Sequence, residues 1–255
     1  MSEHCRNPNL EAAPQPPKPT LGAALRRPGH AARVAIALAR GHWHRLYYRL
    51  RGIRFRAGRN LRLFAPLSVR GPGEIILGDN VVILETPTFW TYSREAKIVV
   101  GDNTIMGATS FGCVKEIRIG RRCIIARASL IDTDFHSTRV DRWMPDAPVR
   151  VAPIVIGDNV WISQHAGIMP GTRIGHNSVV SFGAVCMRDF PENVIIVGNP
   201  ARVASPVQQR PADAPPFDPA SAAYDPSLAM HAVAAGGAAL AATAAAAADS
   251  ISRMA

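Results

Sequence analysis

Aliphatic and polar residues repeat with a period of six between Ile156 and Val185. From Ile156 the chain divides without a gap into IGDNVW, ISQHAG, IMPGTR, IGHNSV and VSFGAV, and each unit begins with Ile or Val. Upstream, IGRRCI (119–124) and IARASL (125–130) follow the same pattern, and IDTDFH (131–136) follows it in its first position. A period of six fits neither an α-helix nor a heptad, and β-branched residues with Gly-Asp-Asn turns favour strands.

The glycines of LGDN, VGDN, IGRR, IGDN and IGHN show a longer period. They stand at positions 78, 101, 120, 157 and 175, with separations of 23, 19, 37 and 18, close to multiples of 18 plus short insertions. Three six-residue units return the chain to the same face of a triangular coil. The first residue of each unit, Ile131 included, is expected inside the coil. GD and GN pairs are expected at corners, because Gly and Asn tolerate positive φ. The pattern predicts a mainly β protein with a parallel β-helix over residues 53–204.

Three other segments flank this region. Residues 1–29 are polar and proline-rich and are predicted to be a disordered lead-in. Residues 30–52 are predicted to form a basic amphipathic helix with a weak point at Gly41. Residues 205–255 are a Pro/Ala-rich low-complexity tail with few large side chains to bury, predicted to be frayed helix or disorder.

The net charge of +10 is concentrated near the N-terminus. Between Ala12 and Gly73 there are Lys18 and twelve arginines, without one Asp or Glu; outside that segment the 29 basic residues fall to 16, against 19 acidic ones. No recognised nucleic-acid module accompanies this charge, which argues against nucleic-acid binding.

Two roles are open for the basic helix. It caps the bottom of the β-helix, with Trp43, Leu46 and Tyr47 buried and the arginines in water. Alternatively, residues 31–51 contact an anionic membrane surface, as basic amphipathic segments do.

The chain is expected to be cytoplasmic, either free or peripheral at the inner face of the membrane. No stretch approaches the roughly 20 apolar residues of a membrane span. The best candidate, 34-VAIALA-39, has six residues between two arginines and also fails as a signal peptide. The four cysteines are scattered without metal-site spacing, which is typical of reduced thiols in a cytoplasmic protein.

His136 stands where the uninterrupted repeat ends, before a polar excursion over residues 137–153. Histidine serves as a general base near neutral pH with little adjustment of its pKa. Asp132 and Asp134 lie on the same predicted strand, and strand alternation makes Asp134 the expected same-side neighbour that orients the imidazole. The alternative role is a surface histidine at the start of a loop.

The motifs 132-DTDFH-136, 154-IVIGDNVWI-162 and 198-GNPARV-203, in this order and spacing, resemble those of the hexapeptide-repeat acyltransferases. The similarity is greatest to the maltose/galactoside O-acetyltransferases and to the O-acetyltransferases of polysaccharide biosynthesis. It implies a left-handed parallel β-helix and a homotrimer with active sites between subunits. It also implies acetyl-CoA as donor without a metal, and as acceptor a hydroxyl of a sugar or lipid-linked glycan.

The resemblance also implies roles for individual residues. His136 matches the general base, and Trp161 matches an indole that lines the tunnel between acceptor and donor thiol. Ser163 and Gln164 match a turn whose backbone approaches the pantetheine arm and the thioester oxygen. The remaining cofactor-binding positions match further CoA contacts: Ser181, Phe182 and Gly183 beside pantetheine, and Arg188 and Arg202 near the nucleotide phosphates.

Two departures bear on the acceptor and the donor slot. The family's acceptor-binding asparagine has no counterpart near Met106, and Phe182 replaces a residue that is more often small. N-acylation of an amino sugar and serine acetylation therefore stay open. Outside this class, a non-catalytic β-helix scaffold and a γ-carbonic-anhydrase-like metal enzyme are alternatives. The latter is disfavoured, because His136, His165 and His176 lack a close histidine pair.

Overall fold

The computed structural model describes residues 28–208, which form one N-terminal helix followed by twenty short strands. The helix, α1, spans Pro28–Leu50. The described residues all belong to one compact unit. The predicted lead-in and the predicted tail lie outside the described residues, except for residues 28–29 and 205–208.

The strands form three sheets, which are the three faces of a triangular coil of about seven turns. The first face consists of β1 (Phe55–Ala57), β4 (Glu74–Leu77), β7 (Lys97–Val100), β10 (Glu116–Ile119), β13 (Ile154–Ile156) and β16 (Arg173–Ile174). The second consists of β2 (Arg62–Leu63), β5 (Val82–Ile83), β8 (Ile105–Met106), β11 (Ile124–Ile125), β14 (Trp161–Ile162), β17 (Val179–Val180), β19 (Val194–Val197) and β20 (Arg202–Pro206). The third consists of β3 (Ser68–Arg70), β6 (Thr88–Thr91), β9 (Ser110–Cys113), β12 (Ser129–Ile131), β15 (Gly167–Ile168) and β18 (Val185–Cys186).

The core is a column of aliphatic residues stacked from coil to coil. On the first face Ile75, Ile98, Ile117 and Ile154 pair in register, and each is 0% exposed. All pairs are parallel except β19–β20, where the chain turns back at the end of the solenoid. The predicted parallel β-helix is confirmed. Each coil buries its aliphatic face only against its neighbours, which is how repeat architectures are stabilised.

Gly and Asn have different roles at the corners of the coil. Asn80, with φ +59°, and Asn103, with φ +58°, adopt the left-handed conformation, and their side chains hydrogen-bond at 3.2 Å. Gly78 has no positive φ; a Cβ there would overlap the Asp102 carboxylate of the next coil. Asparagine therefore supplies the corner conformation, and glycine permits the close approach of coils.

The inward position predicted for Ile131 is wrong. Leu130 is the inward residue of β12; it pairs with Ile168, and both are 0% exposed, whereas Ile131 is half-buried on the outer side. The preceding corner is one residue shorter than a full unit, since the inward residues Ile125 and Leu130 are five apart and their partners Ile162 and Ile168 are six apart. In a strand, a shift of one residue moves a side chain to the opposite face.

Helix α1 covers the first coil, as one of the two predicted roles requires. Its Tyr48 is buried and donates from Oη to the Leu67 carbonyl at 2.9 Å, and its Arg40 donates to the Phe64 carbonyl at 2.9 Å. The predicted weak point at Gly41 is wrong, because α1 is continuous there and Gly41 is buried against Leu61. A Cβ at Gly41 would overlap the Leu61 carbonyl oxygen, so glycine is what allows the close approach.

The predicted buried face of α1 is also wrong. Trp43, Leu46 and Tyr47 are 61%, 49% and 38% exposed, whereas Ala37 and Tyr48 are buried. The cap uses small residues and one tyrosine because the helix backbone lies close to the first coil. A second apolar stripe therefore faces outward. Across residues 28–208, no helix combines the length and the apolar character needed to cross a membrane.

Candidate active site

His136 lies at the root of the excursion between β12 and β13. Its side chain is exposed and lines an open pocket of about 520 Å³ together with Ser137, Thr138, Arg142 and Trp143. Trp143 is 90% exposed, so one wall of the pocket is an indole that packs on little else in the chain. The coil is thus opened next to the predicted base.

The backbone at this root is well ordered by hydrogen bonds. Thr133 and Val151 form an antiparallel bridge between the outgoing and the returning chain. The Asp134 N–H donates to the Arg150 carbonyl at 3.1 Å, and the His136 N–H donates to the Asp134 carbonyl at 2.6 Å. These bonds fix the His136 backbone at the base of the excursion, where the outgoing and the returning chain are paired.

Asp132 has a structural role within the coil. Its buried carboxylate accepts the backbone N–H groups of Val114, Lys115 and Glu116 at 2.7, 2.7 and 2.8 Å. The Cys113 thiol lies 3.4 Å from the same carboxylate. Burial raises the pKa of this thiol most, and the negative charge of Asp132 raises it further. Asp132 thus closes the corner of the preceding coil and is fully engaged there.

Asp134, the predicted orienting residue, is half-buried. Among residues 28–208, no hydrogen bond joins its carboxylate to the His136 ring. The orienting role of Asp134 stays a prediction.

The predicted CoA contacts next to β14 and β17 share one continuous surface, here called the donor surface. It comprises Trp161, Ser163, Gln164, Ser181, Phe182 and Gly183. The two corners touch directly, since the Gly183 N–H donates to the Gln164 carbonyl at 3.1 Å. Phe182 is 67% exposed and packs edge-on against His165, with ring centroids 5.1 Å apart.

Two backbone N–H groups of the donor surface differ in their hydrogen bonding. The Ser163 N–H donates to the Val180 carbonyl of the next coil at 2.9 Å. The Gln164 N–H has no acceptor within the part of the chain that the structure describes. A backbone donor that is free and fixed in a corner is suited to bind a carbonyl oxygen or a developing oxyanion.

Arg188 and Arg202 lie at the end of the solenoid, beyond β18 and in β20. Both side chains are exposed, and neither forms an ion pair with any described residue. The Arg202 guanidinium donates only to the adjacent Ala201 carbonyl, at 2.8 Å. Both cations are therefore available to anionic groups such as phosphates.

The structure does not bring His136 and the donor surface together in one chain. His136 follows β12, at the carboxyl edge of the third face, whereas Ser163 and Gln164 precede β15, at the amino edge of that face. Parallel strands keep these two edges apart along the whole sheet. The predicted site is thus divided into two halves within a single chain.

Arg142 and Trp143 were not anticipated from the sequence, although they line the His136 pocket. The available signal was an Arg-Trp pair within an otherwise polar excursion. His176 is half-buried, and its Nδ1 accepts the Asp158 N–H at 2.8 Å. Among residues 28–208, no three His, Cys, Asp or Glu side chains group to hold a metal ion.

Comparisons with known proteins agree with this fold. The family described as bacterial transferase hexapeptide (six repeats) matches residues 153–188. A putative acetyltransferase of Saccharomyces cerevisiae is 35% identical over 140 residues, covering 52% of this chain and 66% of that protein. The galactoside O-acetyltransferase of Escherichia coli is 47% identical over 58 residues, covering 23% of this chain and 29% of that protein. Each match thus spans only part of the relative's own length.

Among solved structures, an N-acyltransferase of Bacillus cereus in complex with dTDP and coenzyme A has a TM-score of 0.52 at 20% identity. That match covers 63% of this chain and 89% of the other, and it supports the fold. The uninterrupted hexads, the triangular coil and the match over residues 153–188 agree with a hexapeptide-repeat protein, and the relatives cited above are named acetyltransferases.

Proposed function

We propose that the protein transfers an acetyl group from acetyl-CoA to a hydroxyl of a sugar or polysaccharide precursor, with His136 as general base. The position of His136 supports this most strongly. It is exposed beside a pocket, where the longest connection between strands of residues 28–208 leaves the β-helix. The relatives named as acetyltransferases, one of them acting on galactosides, support the reaction class.

The proposed reaction is a direct transfer. The imidazole of His136 accepts the proton of the acceptor hydroxyl while that oxygen attacks the thioester carbonyl. The Gln164 N–H donates to the carbonyl oxygen as negative charge develops on it. The carbon–sulfur bond then breaks, and the proton held by His136 passes to the CoA thiolate. An acyl-enzyme is not required.

A homotrimer would assemble the two halves of the site. In a cyclic trimer each chain presents one surface to one neighbour and a different surface to the other, so His136 of one chain can face the donor surface of the next. Apolar side chains on the excursion support such an interface, since Val140, Trp143 and Met144 are 97%, 90% and 55% exposed. Exposed apolar groups of this size mark interaction surfaces.

The test of the reaction uses the full chain, acetyl-CoA and four acceptors: maltose, a β-galactoside, glucosamine and serine. CoA release and product mass identify the acceptor and distinguish O- from N-acetylation. His136→Ala is expected to lower turnover at least about a hundredfold, as loss of a general base does. His42→Ala, which removes an exposed histidine from α1, is the matched control and is expected to match the wild type. Full turnover by His136→Ala would refute the assignment.

We also propose that the outward stripe of α1 contacts an anionic membrane surface. The stripe consists of Ile36, Trp43, Leu46, Tyr47 and Leu50, between 38% and 78% exposed. Their spacing places them on one side of the helix, and arginines flank them without any acidic residue in α1. A helix with an apolar stripe between cationic borders lies in the headgroup region of anionic lipid.

Vesicle binding tests this contact. The full chain is expected to sediment with vesicles of equal phosphatidylcholine and phosphatidylglycerol, and to remain in solution with phosphatidylcholine alone. Trp43→Ser combined with Leu50→Ser is expected to weaken binding at least about tenfold, because both apolar anchors are lost. Val203→Ser, at a site 47% exposed on β20, is the control. Equal binding of the double variant and the control would exclude α1 as the contact.

A further inference from the structure

Three exposed aromatic residues line the outer side of the third face and lead to His136. Trp90, Tyr92 and Phe135, here called the aromatic shelf, are 42%, 43% and 39% exposed. Trp90 and Tyr92 stack with centroids 5.2 Å apart, and Tyr92 packs edge-on against Phe135 at 4.8 Å. Strand alternation explains the pair, since Phe89 and Thr91 point inward and Trp90 and Tyr92 point outward.

Local structure adapts to the third member of the shelf. Phe135 has φ +57°, a conformation that bulky residues rarely adopt and that tends to occur at functional sites. Gly112 lies beneath its ring, and a Cβ there would be only 3.1 Å from the Phe135 Cζ. The glycine thus leaves room for the ring to lie on the sheet. Phe135 directly precedes His136 in the chain, so the shelf ends one residue before the proposed base.

The other end of the shelf continues into a groove. The Arg70 guanidinium lies over the Trp90 ring, 5.6 Å from its centroid. Arg70 also lines an open groove of about 410 Å³ between α1 and β3, together with Trp43 and Tyr47. Within residues 28–208 the Arg70 side chain has no carboxylate partner. A cation and exposed rings therefore form one track from the foot of the coil to His136.

A column of hydroxyls runs beside the rings. Ser68, Thr88, Ser110 and Ser129 align in register on the outer side of successive strands of the third face. From β3 to β12 this face covers three strand spacings, or roughly 14 Å. The rings can pack on the apolar faces of pyranoses, and the hydroxyls can bond to their polar edges. Because the face is longer than one sugar, this surface fits an oligosaccharide.

We propose that the aromatic shelf, with Arg70, is a subsite that binds an oligosaccharide acceptor and brings one of its hydroxyls to His136. The subsite rests on the proposed function, because His136 is its end point. The chain of a bound glycan runs along the third face, from the groove beside α1 towards the excursion. Arg70 can pair with a carboxylate of an acidic sugar, so acidic oligosaccharides bind more tightly than neutral ones of equal length.

Binding is measured without acetyl-CoA, so that it does not depend on acetyl transfer. The probes are mono- to hexasaccharides from bacterial surface polysaccharides, neutral and uronate-containing, immobilised on an array and then titrated in solution. The wild type is expected to bind hexasaccharides at least tenfold more tightly than monosaccharides. Trp90→Ala and Tyr92→Ala are each expected to lose about tenfold in hexasaccharide affinity while retaining CoA binding. His42→Ala, at an exposed site of α1 outside the track, is the control.

Two results would overturn the subsite. One is a wild-type protein that binds no oligosaccharide better than its monosaccharide. The other is Trp90→Ala dissociating the oligomer without changing glycan affinity, which would make the shelf a contact with a second copy. His136→Ala distinguishes the subsite from the proposed function, because this variant is expected to lose acetyl transfer and keep its affinity for hexasaccharides. If the protein binds glycans but transfers no acetyl group, the proposed reaction is wrong and the subsite stands. If it transfers acetyl groups to maltose without any preference for longer chains, the subsite is wrong and the reaction stands.

Discussion

The Lys115 N–H donates to the Asp132 carboxylate at 2.7 Å, which ties the start of the excursion to the corner of the preceding coil. The same carboxylate accepts two more backbone N–H groups and lies next to the Cys113 thiol. Asp134, two residues further on, has a carboxylate without such bonds among residues 28–208. Of the two acidic residues of the DTDFH motif, Asp132 therefore has a structural role that Asp134 does not share.

Substitution of the two residues should separate these roles. Asp132→Ala leaves three backbone donors without their shared acceptor and is expected to lower the free energy of unfolding by on the order of 3 kcal/mol. Asp134→Ala is expected to change it by less than about 0.5 kcal/mol, as a surface substitution does. Urea unfolding followed by circular dichroism measures both. Equal losses for the two variants would contradict the assignment.

Gly41 allows α1 to approach the first coil, so its replacement tests the cap. A Cβ at Gly41 would overlap the Leu61 carbonyl oxygen, and relieving such overlap costs about 1–3 kcal/mol. Gly29→Ala is the matched control, because nothing lies within 4 Å of that position. We expect the thermal midpoint to fall for Gly41→Ala and to hold or rise for Gly29→Ala, where alanine improves helix propensity. A rise for both would mean that α1 does not dock closely.

The fold could be predicted because every complete hexad repeats the same physical requirement, an aliphatic residue inside and a tight corner. The prediction was wrong where a single residue changes register, as at Ile131, where the corner is short. It was also wrong for α1, because the choice between its two apolar sides depends on how closely the helix backbone approaches Leu61. Sequence periodicity contains no information on that distance.

The site was predictable to a different extent. The position of His136 could be read from the end of the repeat, and the donor surface from a family resemblance. The aromatic shelf could not be predicted, since Tyr92 and Phe135 meet only through the stacking of coils that are far apart in sequence. The separation of His136 from Ser163 likewise depends on which edge of the third face each corner occupies.

The buried thiols predict how stability depends on pH. Burial raises the pKa of Cys123 and that of Cys186 to about 12, from an ordinary value of 9.0. Above pH 9 the unfolded chain therefore loses thiol protons that the folded protein retains, so the free energy of unfolding falls as pH rises from 9 towards 12. The free energy of unfolding of Cys123→Ala is expected to fall less steeply over this range than that of the wild type. Urea titrations at successive pH values measure both. An unchanged slope would mean that Cys123 ionises in the folded protein.

The division of the site between chains can be tested by mixing two inactive variants. His136→Ala lacks the base but keeps the donor surface. Ser181→Glu keeps the base and places a carboxylate where the phosphates and pantetheine of CoA would approach. If each site joins His136 of one chain to the donor surface of the next, every trimer that contains both variants has about one intact interface in three.

Co-expression of the two variants with different affinity tags, followed by two-step purification, yields such mixed trimers. We expect them to recover a substantial fraction of wild-type turnover, whereas each variant alone stays inactive. Purified variants mixed after assembly, without subunit exchange, are the control and are expected to remain inactive. If the mixed trimers are as inactive as their parents, each site lies within one chain. The excursion would then have to bring His136 across the third face to Ser163 of its own coil, a movement that the Thr133–Val151 bridge opposes.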